Sequence, residues 1–389
     1  MANHDLSRLR ALLQTRNQTL ASNLGAMRGA LLAARVPALL IPYRDRLLRL
    51  CDERANLLTE NQRYLSSPQD DILEEVLSNT KQAALLLRLL SERLAPPVLR
   101  ACENDRLCLS VISWMHDVHP RTASIPAAHG DGSIGVWPLV TIVPIYFFPC
   151  LEQRGLLYLP LNFHELGHVL YALQKQEMDD LVRDLQQEVE AVLRPRSRRN
   201  DPHSRVQASR QRLVVNAWYS WAQEFFCDAI GLSIGGPAFL HSFSNYLSRL
   251  VKEDFYQPES DLRHGAHPVT WLRIKFLIRR AGAMGLLQDA QEVDEEWAAV
   301  AQALQAREEY HGFYDDALEG AVERTISDML TEADPRPFRA DEAEAGRDWQ
   351  PGDSPILLLN RAWRAFISDP QNYARWEADA VQRFLTSLG

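Results

Sequence analysis

Cysteine is scarce in this chain of 389 residues. Five are present (Cys51, Cys102, Cys108, Cys150 and Cys227), an odd number without a repeating spacing. A disulfide scaffold is therefore excluded, and free thiols in a reducing compartment are expected. Cys102 and Cys108 stand too far apart for a CxxC zinc clamp. Positive charge is also short: 42 Lys and Arg face 51 Asp and Glu, leaving a net charge of −9. Phosphate affinity rests on clustered Lys and Arg, so a general nucleic-acid binder is not expected.

Long apolar runs are missing too. The longest, Val136 to Leu151, is interrupted by Pro138, Pro144 and Pro149. It falls short of the ~20 residues that a spanning helix needs, so no membrane insertion is expected. The start, Met1-Ala2-Asn3-His4-Asp5, lacks the basic and then apolar pattern of a secretory leader. These absences point to a soluble, cytoplasmic protein. Hydrophobic residues at 46% and charged residues at 24% are the balance of an ordinary globular chain, which excludes wholesale disorder and collagen-like repeats.

What is present begins as helix. Leu6, Leu9, Leu13, Leu20, Leu24, Met27 and Leu31 recur at helical spacing on one stripe, until Pro37 and Pro42 break it. A second helix is expected over Arg44 to Tyr64. A third is expected from Ser67-Pro68, with Asp70 and Asp71 favouring its positive end, to about Leu94 before Pro96-Pro97. From about Ser110 the character changes. Gly130, Gly132 and Gly135 mark a turn-rich stretch, and Val140–Val143 and Ile145–Phe148 read as strand. Their prolines suggest an edge or interrupted strand. Helices follow over Leu161 to Leu193, Val206 to Ile234, Ala238 to Leu250 and Thr270 to Ala281. The arginine-rich stretch from Arg194 and the acidic, Pro- and Gly-containing stretch Thr331 to Ser354 read as loops, and a final helix is expected over Ile356 to Leu388.

The sharpest chemical signal is His164-Glu165-Leu166-Gly167-His168, an H-E-x-x-H motif on a helix. Residues i and i+4 stack on one helix face, so both imidazoles can aim a ring nitrogen at one cation. Glu165 sits about 100° round the helix, beside the ion rather than on it. It is the natural acceptor for a proton from a metal-bound water. The flanking Leu161, Phe163, Leu166, Val169 and Leu170 bury this helix, and buried polar side chains need partners. A catalytic zinc takes a third protein ligand, expected here from Glu224 on the apolar helix carrying Trp218, Trp221, Phe225 and Phe226. Asp228, one turn on, is placed to accept a hydrogen bond from the far nitrogen of a zinc-bound histidine.

HELGH, then Glu-Phe-Phe-Cys-Asp on a later helix, then His267-Pro268-Val269-Thr270 before Arg273-Ile274, resembles the gluzincin zinc metallopeptidases. Within them it looks most like the group of CAAX prenyl proteases and HtpX-type heat-shock proteases. The resemblance spans residues 161–280, with Val269 in place of a usual second proline and without that group's membrane spans. It implies one zinc per chain held by His164, His168 and Glu224, Glu165 as general base, and Asp228 orienting a ligand histidine. It further implies His267 as a group assisting the oxyanion, and Arg273 as partner of a buried carboxylate. The 55 residues between His168 and Glu224 set the chain apart from thermolysin-like spacing.

The expected architecture is α+β and mostly α: a zincin-like metallopeptidase core with a small sheet over residues 106–285, flanked by helical regions over 1–105 and 286–389. The expected function is a soluble zinc endopeptidase acting on peptide or protein substrates. The strand Val140 to Phe148 would pair with extended substrate. The N-terminal helices are a candidate surface for a regulatory partner or for latency. The alternative is a non-hydrolytic protein-binding module on a metallopeptidase fold. His116, His119 and His129 form a second histidine cluster, for which ordinary loop hydrogen bonding is the plainer account.

Overall fold

The computed structural model describes residues 2–67, 72–138, 143–149, 152–193, 204–343 and 349–387. Three helices open the chain: α1 (Ala2–Ala33), α2 (Ile41–Leu65) and α3 (Leu73–Leu89). They follow the leucine stripe closely, with Pro42 in the first turn of α2. The start expected at Ser67-Pro68 falls partly on 68–71, outside the described residues. A buried knot ties the three helices together: the Asn17 amide donates to Thr80 at 3.1 Å, and the Asn61 amide donates to Asn17 at 3.2 Å. After a π turn at Leu90–Leu94 and the short α4 (Pro96–Leu99), helix α5 (Arg106–Asp117) buries Leu107, Val111, Ile112 and Met115.

The sheet is small: β1 (Ala128–Asp131), β2 (Gly135–Trp137) and β3 (Ile145–Phe148), in the order β1-β3-β2. β1 runs parallel to β3, with Ala128 opposite Ile145, and β2 runs antiparallel to it, with Val136 opposite Tyr146. The sequence expectation needs correction here. β3 is the central strand rather than an edge. Val143 lies outside any strand, while 140–142 fall outside the described residues. β1 and β2, at four and three residues, are too short to show an alternation. Ala128 and Ile145 share a buried cluster with Leu24, Leu47, Leu90 and Val98, so the N-terminal helices pack directly on the sheet.

The remainder is helical. α6 (Asn162–Leu173) and α7 (Lys175–Val192) replace the single helix expected over Leu161 to Leu193. The backbone leaves the helical region at Gln174 (φ −118°, ψ 32°), whose side chain donates to Glu332. Then come α8 (Ser204–Gly235), α9 (Pro237–Leu247), α10 (Glu259–His264), α11 (Thr270–Ala283), α12 (Leu287–Leu304) and α13 (Glu319–Ala333). The last expected helix is also two, α14 (Pro355–Ser368) and α15 (Tyr373–Ser387), parted around Asp369-Pro370 where proline prevents continuation. The fold is thus mostly helical with one three-stranded sheet, as expected. Among the described residues no helix is long and apolar enough to cross a membrane.

α8 is the spine. Trp218, Trp221, Phe226 and Ile230 are fully buried, and α6, α7, α9, α11 and α13 all pack on it. α6 and α8 approach backbone to backbone at Gly167.

Candidate metal centre

α6 starts from a tight turn at Leu159–Leu161, where Pro160 presets the backbone and the Asn162 amide donates to the Leu159 carbonyl at 3.0 Å. One turn in, His164 and Glu165 are buried, and His168 is a quarter exposed. The two histidine rings lie 5.1 Å apart at 81°. His164 stacks on Phe243 of α9 at 5.6 Å.

From α8, the Glu224 carboxylate reaches between them. His164 Nε2 is 3.6 Å from Glu224 Oε2, and His168 Nε2 is 3.7 Å from Glu224 Oε1. Donor atoms of a tetrahedral ion held at ~2.1 Å lie about 3.4 Å from one another, so these separations match a shared cation better than direct hydrogen bonds. Glu224 Oε2 is buried and accepts no hydrogen bond, although the Arg273 guanidinium passes 3.0 Å away. An under-coordinated buried carboxylate oxygen beside two imidazoles fits a divalent cation.

One turn further along α8, Asp228 Oδ1 lies 2.8 Å from His164 Nδ1, a close charge contact rather than an aligned hydrogen bond. Arg273, buried on α11, clasps Asp228 at two points, 2.8 Å and 2.6 Å. Its guanidinium lies over the Phe243 ring at 4.8 Å. Arg273 therefore holds both α8 carboxylates, one more than the sequence pattern suggested. His267, just before α11, places Nε2 3.5 Å from Glu224 Oε2, and its side chain is 61% exposed. All six residues singled out from the sequence come together: His164, Glu165, His168, Glu224, Asp228 and His267.

The electrostatics sort the groups by role. Burial pushes the Glu165 carboxyl up to about 7, near the range where a group exchanges protons at neutrality. Burial pushes the His168 ring down to about 4, which keeps it neutral with a free lone pair. Burial alone would raise Glu224 and Asp228, but the Arg273 guanidinium and the neighbouring imidazoles together outweigh it and lower both carboxyls. Burial opposes a charge on His164, yet the Asp228 contact raises its proton affinity.

A cysteine also borders the pair. Cys227 Sγ lies within 4.8 Å of ring nitrogens of His164 and His168. Burial lifts this thiol well above its ordinary range, and its Cβ and Sγ press against Gly167 inside the helix contact. Glu224, ionised and spanning both Nε2 atoms, is the better donor.

The centre opens into a cavity of about 420 Å³. Its floor is α6; Gly135 and Val136 of β2, with Ile134 just before them, border it, and His267 lines it as well. Among the described residues the strand bordering the cleft is β2; of the expected Val140 to Phe148, the part 143–148 does not line it, and 140–142 lie outside the described residues. A smaller cavity of about 190 Å³ at Arg93, His129 and Phe147 contains none of these groups. Among the described residues, none of those lining the cavity of the centre comes from 2–105.

His116, His119 and His129 do not converge. His116 Nε2 meets the Tyr146 hydroxyl at 2.9 Å, His119 Nε2 accepts the Arg336 N–H at 3.1 Å, and His129 faces Asp105 at 3.7 Å. The sequence pattern missed Gly167 as the contact point, β2 as the bordering edge, and Lys175 at the cavity's end. Only Gly167 had a visible signal, a residue without a side chain inside a buried helix.

No protein-family model matches the chain, no curated protein matches it, and no solved structure matches its fold.

Proposed function

We infer that this protein is a zinc-dependent peptide hydrolase with a zincin-like core. The observation that carries this is the convergence of His164 Nε2 and His168 Nε2 on the Glu224 carboxylate, with Glu165 in the same cavity. The motif order shared with gluzincin peptidases supports it. In this reading His164, His168 and Glu224 hold one ion per chain, which supplies Lewis acidity and lowers the pKa of a bound water.

The chain's own groups do the rest. Glu165, poised near neutrality, accepts the proton of the attacking water and later delivers it to the leaving amine. Asp228 fixes the tautomer of His164 by holding its Nδ1, and Arg273 fixes Asp228. His267, at the cavity mouth, is placed to donate to charge growing on the carbonyl oxygen. The outer edge of β2, unpaired among the described residues, offers backbone groups to an extended peptide.

The test is Glu165→Gln assayed against a mixed peptide library by mass spectrometry. Wild-type protein loaded with zinc cleaves peptides internally. The variant keeps its ion and loses at least a hundredfold in rate. A zinc-loaded wild type that leaves the whole library intact refutes the hydrolytic reading and favours a binding module.

A further inference from the structure

Past His168 the cavity floor continues through Tyr171 and Ala172 of α6 to Lys175, the first residue of α7. Among the described residues, Lys175 is the one lysine or arginine that lines this cavity. Its ammonium is held in place. Nζ donates to Asp179 Oδ2 at 2.7 Å and to the Tyr219 hydroxyl at 2.8 Å. It also stands 6.0 Å and 5.6 Å from the Tyr171 and Tyr219 ring centroids.

Asp179 is pinned in turn, because both tyrosine hydroxyls donate to its Oδ1 at 2.8 Å. The aspartate is 16% exposed and the lysine 60%. The anion faces inward and the cation outward, with one of three N–H groups uncommitted.

We propose that Lys175 is a carboxylate-reading subsite of this cavity, selecting peptides with a carboxylate at one fixed register from the bond that reacts. The inference rests on the reading above, in which an extended peptide occupies the cavity. His168 and Lys175 line the same cavity on either side of the break at Gln174, so a bound peptide that reaches the imidazole pair can also reach the ammonium. The net charge of −9 repels acidic peptides in general, so a preference for them has to arise locally. The carboxylate has two sources, an Asp or Glu side chain or a free C-terminus.

Equilibrium binding tests this without turnover. Fluorescein-labelled peptides are titrated against zinc-loaded Glu165→Gln protein. In one arm a single Glu, or its Gln control, is walked along a peptide blocked at both ends. In the other the Gln peptide carries either a free or an amidated C-terminus. At one register the carboxylate form should bind roughly two- to fivefold tighter, the range of a partly exposed ion pair. Adding Lys175→Gln should erase that difference, and Lys175→Arg should preserve it. Tighter binding in the first arm identifies a side chain, and in the second a chain terminus. Equal binding of charged and neutral peptides at every register overturns the proposal. So does a preference that survives Lys175→Gln, and so does absence of binding. Wild-type cleavage of the neutral peptide, followed in parallel, reports separately on the hydrolytic reading.

Discussion

A Cβ placed on Gly167 would stand 2.8 Å from the Cα of Cys227. The helix bearing both histidines and the helix bearing Glu224 therefore touch at their backbones, beside the side chains of the candidate centre. The short reach of a glutamate from α8 to two imidazoles on α6 depends on this contact.

Gly167→Ala should break it. The alanine gains about 1 kcal/mol in helix propensity, but overpacking against backbone costs about 1–3 kcal/mol, so the variant is less stable. Pushed apart, the helices should bind zinc at least tenfold more weakly. Thermal denaturation and a zinc titration against a chromophoric chelator measure both effects.

Asp228→Asn keeps the shape of the side chain and removes its charge. His164 loses its orienting carboxylate, so zinc affinity should fall by about 10- to 100-fold. Arg273, 5% exposed, is left with Glu224 alone, and stability should drop by about 3 kcal/mol. Chemical denaturation with and without chelator separates the two losses.

Removing the ion should lower stability. A ligand present at a hundred times its dissociation constant contributes about 2.7 kcal/mol to the folded state. Adding a strong chelator should lower the denaturation temperature, and zinc in excess of the chelator should restore it.

His116, which bonds to Tyr146 and is not among the residues of the candidate centre, predicts a separate response to acid. Burial holds its ring down to about 4, against 6.5 when unfolded. Between those values the unfolded chain binds the extra proton. Stability is complete above pH 6.5 and falls by about 3 kcal/mol as pH drops toward 4. His116→Gln removes this component, so its stability should vary less steeply with pH over that window.

The candidate centre was largely legible in the sequence because its groups carry their spacing along the chain. His164 and His168 are one turn apart on α6, and Glu224 and Asp228 one turn apart on α8. Apolar neighbours marked both helices as buried. What the sequence hid depends on tertiary placement. The Glu224 contact of Arg273 and the site at Lys175 arise where separate helices meet. The break at Gln174 is a single residue whose side chain is held by Glu332, with no proline or glycine to announce it. The β2 edge is three residues long, and its role appears only once β3 is seen to take the centre of the sheet.

The ion content of two neighbouring substitutions on α8 tests the centre most directly. Wild-type protein, Glu224→Ala and Cys227→Ala are incubated with zinc, desalted and assayed by elemental analysis. The predicted result is one zinc per chain in the wild type and in Cys227→Ala, and little or none in Glu224→Ala. A Glu224→Ala protein that keeps its zinc while Cys227→Ala loses it, or a folded wild type that retains none, would contradict the centre described here.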